Sequence, residues 1–447
     1  MNTATIILAA GQGSRMKSDL PKVLHKIGSA PMLWHTMQCA AQIEADQTIV
    51  VVGHGGEATS DAAREYNADA KIVWQKEQNG TGHAVLQAQD ELKDFEGDVI
   101  VLYGDTPFVK PETLQKMLAA RAQNAVVVLG FKTANPGGYG RLQMNGDSLE
   151  AIIEAKDCTP NQREITFCNS GVICAPAPLL FSLLADVGND NANGEVYLTD
   201  IVAIARARDL PCTAIMCTEA ETMGVNSRLD LANGEAVFQQ SARAAAMENG
   251  VTLSAPDTVH FAFDTHIGRD TIIEPNVVFG LAVTIESGAT IRAFSHLEGC
   301  HVARECVVGP YARLRPGAEL DLGAKVGNFV EIKAAQIEAG AKVNHLTYVG
   351  DARIGAGSNI GAGTIFCNYD GVNKHHTDIG ERVFIGSNSA LVAPVSIADD
   401  GFVATGSVVT ADVPEGALAI ARARMVIKPS LGKRMMDRLR AAKAAKK

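Results

Sequence analysis

The chain has 447 residues, of which 47% are hydrophobic and 20% charged, a composition typical of a folded protein that is too long for a single core. Its net charge of −10 argues against a nucleic-acid-binding body, and its nine cysteines include no Cys-x-x-Cys pair, which excludes a zinc knuckle. No run of 18 apolar residues and no signal peptide is recognisable, so we expect a cytoplasmic protein with reduced thiols and no membrane or nucleic-acid partner.

Charge and glycine are distributed unevenly along the chain. Residues 428–447 carry a net charge of +7, and the preceding residues therefore carry −17. This basic tail is interpreted either as a solvated helix or as a contact for the phosphates of a nearby ligand. Aromatic residues make up only 5% of the chain, and residues 250–427 hold 21 of the 42 glycines. The two halves are therefore expected to differ in architecture.

In the first half, short apolar strands alternate with helical patterns. The predicted strands are Thr5–Ala10, Thr48–Gly53, Val99–Tyr103, Ala125–Phe131 and Thr213–Cys217. The predicted helices are Met32–Ile43, Thr81–Leu92, Pro111–Arg121 and Val196–Arg208. This alternation predicts a doubly wound, mostly parallel α/β sheet, in which ligands bind beyond the carboxyl ends of the strands.

Two loops follow such strands. Gly11–Met16 is glycine-rich and brings Arg15 close to Lys22, but it lacks the third glycine of a dinucleotide fingerprint and the Gly-Lys-Ser/Thr of a P-loop. It is either a phosphate-binding loop or a tight turn. The second loop follows the predicted strand Val99–Tyr103 and contains Asp105. This carboxylate could hold Mg²⁺ or cap the helix predicted over Pro111–Arg121.

The motifs Leu8–Met16, Pro21–Leu24, Gln78–His83 and Tyr103–Asp105 together resemble the signature of sugar-1-phosphate nucleotidyltransferases, with further matches as far as Asn226. The resemblance implies a Rossmann-like domain that uses Mg²⁺ held by Asp105 and Asn226, with Arg15 and Lys22 as catalytic cations. It also implies a set of residues that bind UTP and the sugar phosphate: Leu8, Ala9, Ala10, Gly11, Lys22, Gln75, Gly80, Thr81, Tyr103, Gly104, Asp105, Gly140, Glu154, Asn169 and Asn226.

The second half repeats every six residues. The repeating apolar positions are Phe261, Ile267, Ile273, Phe279, Ile285, Ile291, Leu297, Val302, Val308, Leu314, Leu320, Val326, Ile332, Ile337, Val343, Val349, Ile354, Ile360, Phe366, Ile379, Ile385, Leu391, Ile397, Val403 and Val409. A period of six predicts a parallel β-helix of about eight coils, whose thin core has no room for many aromatic side chains.

This repeat resembles that of the hexapeptide-repeat acyltransferases, and the whole chain is similar to the bifunctional bacterial enzymes that make UDP-N-acetylglucosamine. The resemblance implies an all-β left-handed parallel β-helix and a homotrimer with active sites between subunits. The predicted divisions are a uridylyltransferase domain over 1–227, a linker helix over 228–249, the N-acetyltransferase domain over 250–427 and the tail over 428–447.

For the acetyltransferase, the resemblance implies His345 as the general base and acetyl-CoA as the co-substrate. The residues implied to bind glucosamine-1-phosphate are Arg315, Lys333, Tyr348 and Asn359. Those implied to bind acetyl-CoA are Ala362, Asn368, Tyr369, Ser387, Thr405 and Arg422. The predicted reactions are acetyl transfer to glucosamine-1-phosphate and uridylyl transfer from UTP to N-acetylglucosamine-1-phosphate.

Two other classes of protein are weighed against this interpretation. One is a single-activity nucleotidyltransferase whose β-helix serves regulation or oligomerisation, and the other is a non-catalytic scaffold. The first predicts no intact set of Arg, Lys, His and Asn-Tyr in the β-helix, and the second has no need of Asp105 beside a cationic loop.

Overall fold

The computed structural model describes residues 2–189 and 194–445. The chain forms two compact units, an N-terminal unit of Met1–Ala242 with Phe261–Phe263 and a C-terminal unit of Arg243–His260 with Asp264–Lys447. The last two residues of the basic tail, Lys446 and Lys447, lie outside the described residues.

The N-terminal unit is built on a nine-stranded sheet. Its strands are β1 (Thr3–Ala9), β2 (Gln47–Val52), β3 (Lys71–Trp74), β4 (Asp98–Tyr103), β5 (Val126–Lys132), β6 (Arg141–Asn145), β7 (Ser148–Ile153), β8 (Phe167–Pro176) and β9 (Cys212–Cys217). Seven strands follow the order β9-β5-β8-β4-β1-β2-β3, and the β6–β7 hairpin attaches to β8. Within that order only β8 runs antiparallel to its neighbours. The predicted mostly parallel sheet is thus confirmed.

Helices cover both faces of this sheet. The helices of this unit are α1 (Met32–Gln42), α2 (Gly56–Tyr66), α3 (Thr81–Leu86), α4 (Pro111–Arg121), α5 (Pro160–Arg163), α6 (Ala177–Leu184), α7 (Ile201–Ala207) and the first part of α8 (Arg228–Glu248), which packs against Ile27, Met32 and Val225. Ile6 and Leu8 of β1 point into one apolar cluster, whereas Ile7 and Ala9 point into another. This alternation explains why the strands read as continuous apolar runs, since both faces of the sheet are buried.

Several helices begin or end at residues other than those predicted. The helix predicted over Thr81–Leu92 ends at Leu86 and is followed by a 3₁₀ turn, and the helix predicted from Val196 begins at Ile201. The predicted linker corresponds to α8, which stops before Gly250, whose φ of +86° suits a residue without Cβ. The two compact units divide at Ala242 and Arg243, inside this helix, and not at its ends.

The C-terminal unit is a parallel β-helix whose coils stack through two sheets. One side is a ten-stranded sheet of Thr252–Leu253, Ile272–Ile273, Thr290–Ile291, Val307–Val308, Lys325–Asn328, Lys342–His345, Asn359–Ile360, Phe384–Ile385, Phe402–Val403 and Leu418–Ala419. The other sheet has fourteen strands, which are His266–Ile267, Val278–Phe279, Val283–Ile285, His296–Leu297, Cys300–Val302, Arg313–Leu314, Ala318–Leu320, Glu331–Ile337, Tyr348–Ile354, Ile365–Cys367, Thr377–Ile379, Ala390–Val392, Val395–Ile397 and Val408–Val409.

The predicted apolar positions form the core of this β-helix, with two exceptions at its start. Ile267 is half-buried, and Phe261, although buried, belongs to the N-terminal unit. The ten-stranded side is longer than the eight coils expected, because strands also form at Thr252–Leu253 and Leu418–Ala419, beyond the ends of the regular repeat. A final helix, α9 (Leu431–Ala444), occupies the basic tail.

Candidate active sites

A cavity of about 320 Å³ opens at the carboxyl ends of β1 and β4, where the sheet topology predicts a ligand site. Ten of the predicted binding residues line it: Leu8, Ala9, Ala10, Gly11, Lys22, Gln75, Gly80, Thr81, Tyr103 and Asp105. Four further residues complete the lining: Val23, Gln78, Ala84 and Glu195. Gln78 lies within a recognised motif, and its amide donates to the Ala10 carbonyl at 2.8 Å. Val23 lies within the recognised motif Pro21–Leu24, whereas Ala84 carries no chemical signal in the sequence and is found only through the fold.

The charged part of the cavity centres on Lys22. Its Nζ contacts the Asp105 carboxylate and lies 3.1 Å from Asn226 Oδ1, which also accepts from Arg15 Nη2 at 3.0 Å. The Val225 amide donates to the Asp105 carbonyl at 2.9 Å and so holds the two segments together. The predicted cations and the predicted metal ligands therefore meet at one point.

This donor set fits a magnesium ion that is shared with substrate. One carboxylate and one amide oxygen already converge on a single positive charge, and Mg²⁺ is commonly held by one or two protein oxygens plus phosphate oxygens. Residues 2–189 and 194–445 contain no cluster of three His, Cys, Asp or Glu side chains that could hold a metal without substrate.

Tyr103 and Gly104 form the floor beside Asp105. Burial raises the pKa of the Tyr103 phenol, and the Asp105 and Glu154 charges add to this effect, so its hydroxyl is protonated at neutral pH. A Cβ on Gly171 would lie 2.7 Å from the Tyr103 ring, which explains the glycine there. The Gly104 amide donates to the Leu8 carbonyl at 3.0 Å and joins β4 to β1.

Gly140, Glu154 and Asn169 form a second group, outside the lining of this cavity. The Asn169 amide donates to the Gly140 carbonyl at 2.8 Å, and Glu154 Oε1 accepts from the Thr199 hydroxyl at 3.3 Å. Burial raises the pKa of Glu154, the Thr199 hydrogen bond opposes this, and the charge of Asp200 adds to it.

In the C-terminal unit, one corner of the β-helix repeats a single position in successive coils, which we call the corner column. The column consists of Asn328, His345, Ala362, Ser387 and Thr405, each two residues beyond a core position paired with the next coil. The amides of Leu346, Gly363, Asn388 and Gly406 donate to the carbonyls of the first four members at 2.8–3.1 Å. Arg422 donates to the Thr405 carbonyl from the following coil.

The corner column thus aligns the predicted base with three of the predicted acetyl-CoA residues, Ala362, Ser387 and Thr405. His345 also lines a shallow cavity of about 200 Å³. The first member of the column, Asn328, was not among the predicted residues, and its Oδ1 lies 2.7 Å from His345 Nδ1.

A second group of predicted residues lies on the next side of the same coils. Lys333 Nζ is 3.3 Å from the Asp351 carboxylate, which also accepts from the Asn368 amide, and Asn368 is 3.4 Å from the Tyr348 hydroxyl. Arg315 pairs with Glu331 at 2.9 Å. A hydrogen bond with the Lys374 amine raises the pKa of Lys333, against the effect of burial, and the Asp351 carboxylate reinforces it. The two cations predicted to bind the sugar phosphate are therefore paired with carboxylates in this structure.

Asn359 and Tyr369 lie apart from these two groups. Asn359 is half-buried in a strand, paired with Lys342 and Phe384 of the neighbouring coils. Tyr369 is 60% exposed at the base of a hairpin loop and donates to the Gly371 carbonyl at 2.6 Å. His375, which has no predicted role, closes this loop through a 2.7 Å contact between its Nε2 and the Asp370 carboxylate.

Known proteins resemble both units of the chain. Residues 5–181 match the family described as the MobA-like NTP transferase domain. No helix within residues 2–189 and 194–445 is long and apolar enough to cross a membrane.

Relatives named "Bifunctional protein GlmU" match along essentially the whole length. The chain is 62% identical to the one from Ruegeria pomeroyi and 61% identical to the one from another Ruegeria species, over 100% of this chain and 99% of each relative. It is 58% identical to the one from a Jannaschia species, over 99% of this chain and 98% of the relative. The chain therefore belongs to the bifunctional GlmU family, which confirms the predicted pairing of an acetyltransferase with a uridylyltransferase that acts on sugar phosphates and nucleotides.

Proposed function

We propose that the C-terminal unit transfers acetyl from acetyl-CoA to the amine of glucosamine-1-phosphate, and that the N-terminal unit then joins the product to UMP from UTP. The proposal is carried by one observation in particular: the corner column aligns His345 with Ala362, Ser387 and Thr405 in consecutive coils. A β-helix that served only regulation or oligomerisation would not need this alignment.

In acetyl transfer, His345 removes a proton from the amine as its nitrogen attacks the thioester carbonyl. The tetrahedral adduct then collapses, the carbon–sulfur bond breaks, and coenzyme A leaves as the thiol after it takes up a proton. Arg315 and Lys333 bind the sugar phosphate by exchanging their carboxylate partners for phosphate oxygens. A thioester is already activated, so no acyl-enzyme is required.

In uridylyl transfer, a phosphate oxygen of N-acetylglucosamine-1-phosphate attacks the α-phosphorus of UTP, and pyrophosphate leaves. Magnesium, when bound by Asp105 and Asn226, neutralises phosphate charge. Lys22 and Arg15 already contact these two ligands, so they lie within reach of the same phosphates. Gly11 and Gly80 let the chain approach the nucleotide without a side chain in the way. Positioning and charge neutralisation are then the sources of rate.

We further propose that the chain assembles as a homotrimer in the cytoplasm. Next to the corner column runs a ladder of exposed apolar residues, Phe294, Tyr311, Phe329 and Leu346, which are 47–59% exposed. The three rings stack with centroids 4.9 and 5.2 Å apart, and all four residues adopt left-handed φ angles of 52–61°. Exposed apolar side chains in a costly backbone conformation are consistent with burial by a second copy.

The trimer is tested with Phe294→Asn, which keeps a residue that tolerates positive φ but removes the ring. We expect sedimentation to shift from trimer toward smaller species and acetyl transfer to fall with it, while uridylyl transfer persists. A parent protein that sediments as a monomer would refute the proposed assembly.

The two activities are tested by supplying glucosamine-1-phosphate, acetyl-CoA, UTP and Mg²⁺ to the full chain and following thiol and pyrophosphate release separately. We expect His345→Ala to abolish thiol release, and Asp105→Ala to abolish pyrophosphate release when N-acetylglucosamine-1-phosphate is supplied directly. Each variant is the folding control for the other. A parent chain that releases pyrophosphate but no thiol would instead be a single-activity nucleotidyltransferase.

A further inference from the structure

Asn328 and His345 are brought together by the register of the β-helix. They end parallel strands of adjacent coils and are direct register partners, so their side chains leave the corner in the same direction. Gly327 precedes Asn328, and a Cβ there would lie 2.1 Å from the Asn344 carbonyl oxygen. The close approach of the two coils at this corner therefore depends on a glycine.

The contact between the two side chains indicates which ring nitrogen carries the hydrogen when the imidazole is neutral. Asn328 Oδ1 lies 2.7 Å from His345 Nδ1, and an amide oxygen can only accept a hydrogen bond. Nδ1 must therefore carry the hydrogen, which leaves the lone pair of the neutral ring on Nε2. A ring held in this tautomer presents Nε2, and not Nδ1, as the nitrogen that can accept a proton.

The backbone of His345 is held as firmly as its ring. Its carbonyl accepts from the buried Thr347 hydroxyl at 2.8 Å and from the Gly363 amide at 3.1 Å. With the main chain fixed by both contacts, the Asn328 hydrogen bond is left to set the orientation of the imidazole.

The surroundings explain why an amide, and not a carboxylate, is suited to this role. Lys325, which begins the strand that ends at Asn328, and Arg292, two coils before that strand, line the same cavity, and its lining, within the described residues, contains no acidic side chain. A neutral acceptor fixes the tautomer without adding the negative charge that would favour the protonated imidazolium. Such an acceptor suits a residue that works as a general base, because a base reacts through the neutral imidazole.

We propose that Asn328 is a positioning residue for acetyl transfer, which holds the Nδ1–H of His345 so that Nε2 faces the substrate amine. This inference rests on the proposed role of His345 as the base. Asn328 touches neither substrate in this scheme and acts only through the ring.

Asn328→Ala should lower kcat for acetyl transfer by about 10- to 100-fold, the usual effect of losing a partner that orients a functional imidazole, with KM for both substrates unchanged. Asn328→Asp keeps the acceptor, so it should retain more activity than Asn328→Ala while moving the acid limb of the pH–rate profile upward by about one unit. Uridylyl transfer, measured on the same samples, should be unchanged and reports correct folding. A purely structural role for Asn328 would not produce the shift of the acid limb.

The tautomer can be observed directly in the full chain labelled with ¹⁵N-histidine. His345→Ala identifies the signals of this ring by their loss. We expect the parent to show the Nδ1–H tautomer and Asn328→Ala to show a mixture. An Nε2–H tautomer in the parent, or an Asn328→Ala enzyme with unchanged kcat and pH profile, would overturn the proposal. If His345→Ala itself retained acetyl transfer, the proposed base would be wrong, whereas the NMR measurement would still decide whether Asn328 fixes the ring.

Discussion

Two glutamates of β7 and the loop that follows it have pKa values shifted in opposite directions. Burial raises the pKa of Glu154, whereas hydrogen bonds from Ser148 and Arg206 lower that of Glu150. For Glu154 the folded state holds the proton more tightly than the unfolded state does. Its contribution to stability therefore falls as pH rises from the unfolded pKa through the folded one. For Glu150 the stabilisation is present above the unfolded pKa and is lost as pH falls through the folded pKa.

We therefore expect Glu154→Gln to raise Tm near pH 7.5 and to have little effect near pH 4, where the carboxyl is largely protonated in both states. Glu150→Gln is the matched control and should lower Tm near pH 7.5, with a smaller effect in acid. Differential scanning calorimetry at the two pH values measures both. An equal shift of Tm at both pH values for Glu154→Gln would show that its charge is not destabilising.

Among the elements, the corner column depends on glycines that precede its members. Gly327, Gly361 and Gly386 each occupy the position before a column residue, and a Cβ on any of them would come within 2.1–2.5 Å of the backbone of the next coil. The spacing of the coils at this corner, and so the alignment of the acetyltransferase residues, requires glycine at these positions.

Gly361→Ala should therefore lower Tm and reduce acetyl transfer, with uridylyl transfer retained, because the added methyl pushes apart the coils that carry Ala362 and Ser387. Gly340→Asn is the matched control: this glycine turns a corner with φ of +66°, nothing lies within 4 Å of its Cβ position, and Asn tolerates such angles. Thermal unfolding and thiol release report the two effects. A Gly361→Ala enzyme with parental acetyl transfer would show that the coils can separate without harm.

The sequence predicts the β-helix better than it predicts the N-terminal sheet, for a physical reason. The hexad repeat is local, so each core position is visible by itself, and even Asn328 is findable as the residue two beyond Val326 in the series that also yields His345 from Val343. In contrast, β8 was not predicted, because its apolar pattern is interrupted where the register shifts between Asn169 and Ile173. Its antiparallel direction depends on partners distant in sequence.

The missed helix α2 has a related cause. Its buried residues are Gly56, Thr59, Ser60 and Ala63, so it packs on the sheet without an apolar stripe that could reveal it. At the candidate sites, motif resemblance supplied the residues that are predicted to carry the chemistry. It could not find Ala84, which lines the cavity at the carboxyl ends of β1 and β4 only because the fold places it there.

On the scale of the whole molecule, the basic tail stands out because nearly all of its described side chains are exposed. Along α9 every described side chain except that of Leu431 is exposed, including Met435 and Leu439 at 58% and 61%. Truncation after Ile427 should therefore leave Tm unchanged, since no buried contact is lost. A fall of several degrees would show that the helix packs in the native assembly.

The same truncation distinguishes the two interpretations of the tail charge. A solvated helix predicts an unchanged KM for acetyl-CoA, whereas contact with the phosphates of coenzyme A predicts a KM that rises on truncation and loses its dependence on salt. KM for UTP, whose proposed site lies in the N-terminal unit, serves as the control.

The corner column also fixes the distances between the predicted acetyltransferase residues. Successive coils of a parallel β-helix are separated by one strand spacing, about 4.8 Å, so the three steps from His345 to Thr405 span about 14 Å. If the proposed acetyl-CoA contacts are correct, the distance from the reacting carbon to the contact at Thr405 is set by a whole number of coils. The hairpin after Asn368 does not change the number of coils. It projects from one coil, and the strands on either side of it keep their partners in the neighbouring coils. A loop can be lengthened on such a scaffold without changing this distance. Removal of a single coil, in contrast, would shorten the distance from His345 to Thr405 by about 4.8 Å while leaving the contacts between the remaining coils intact.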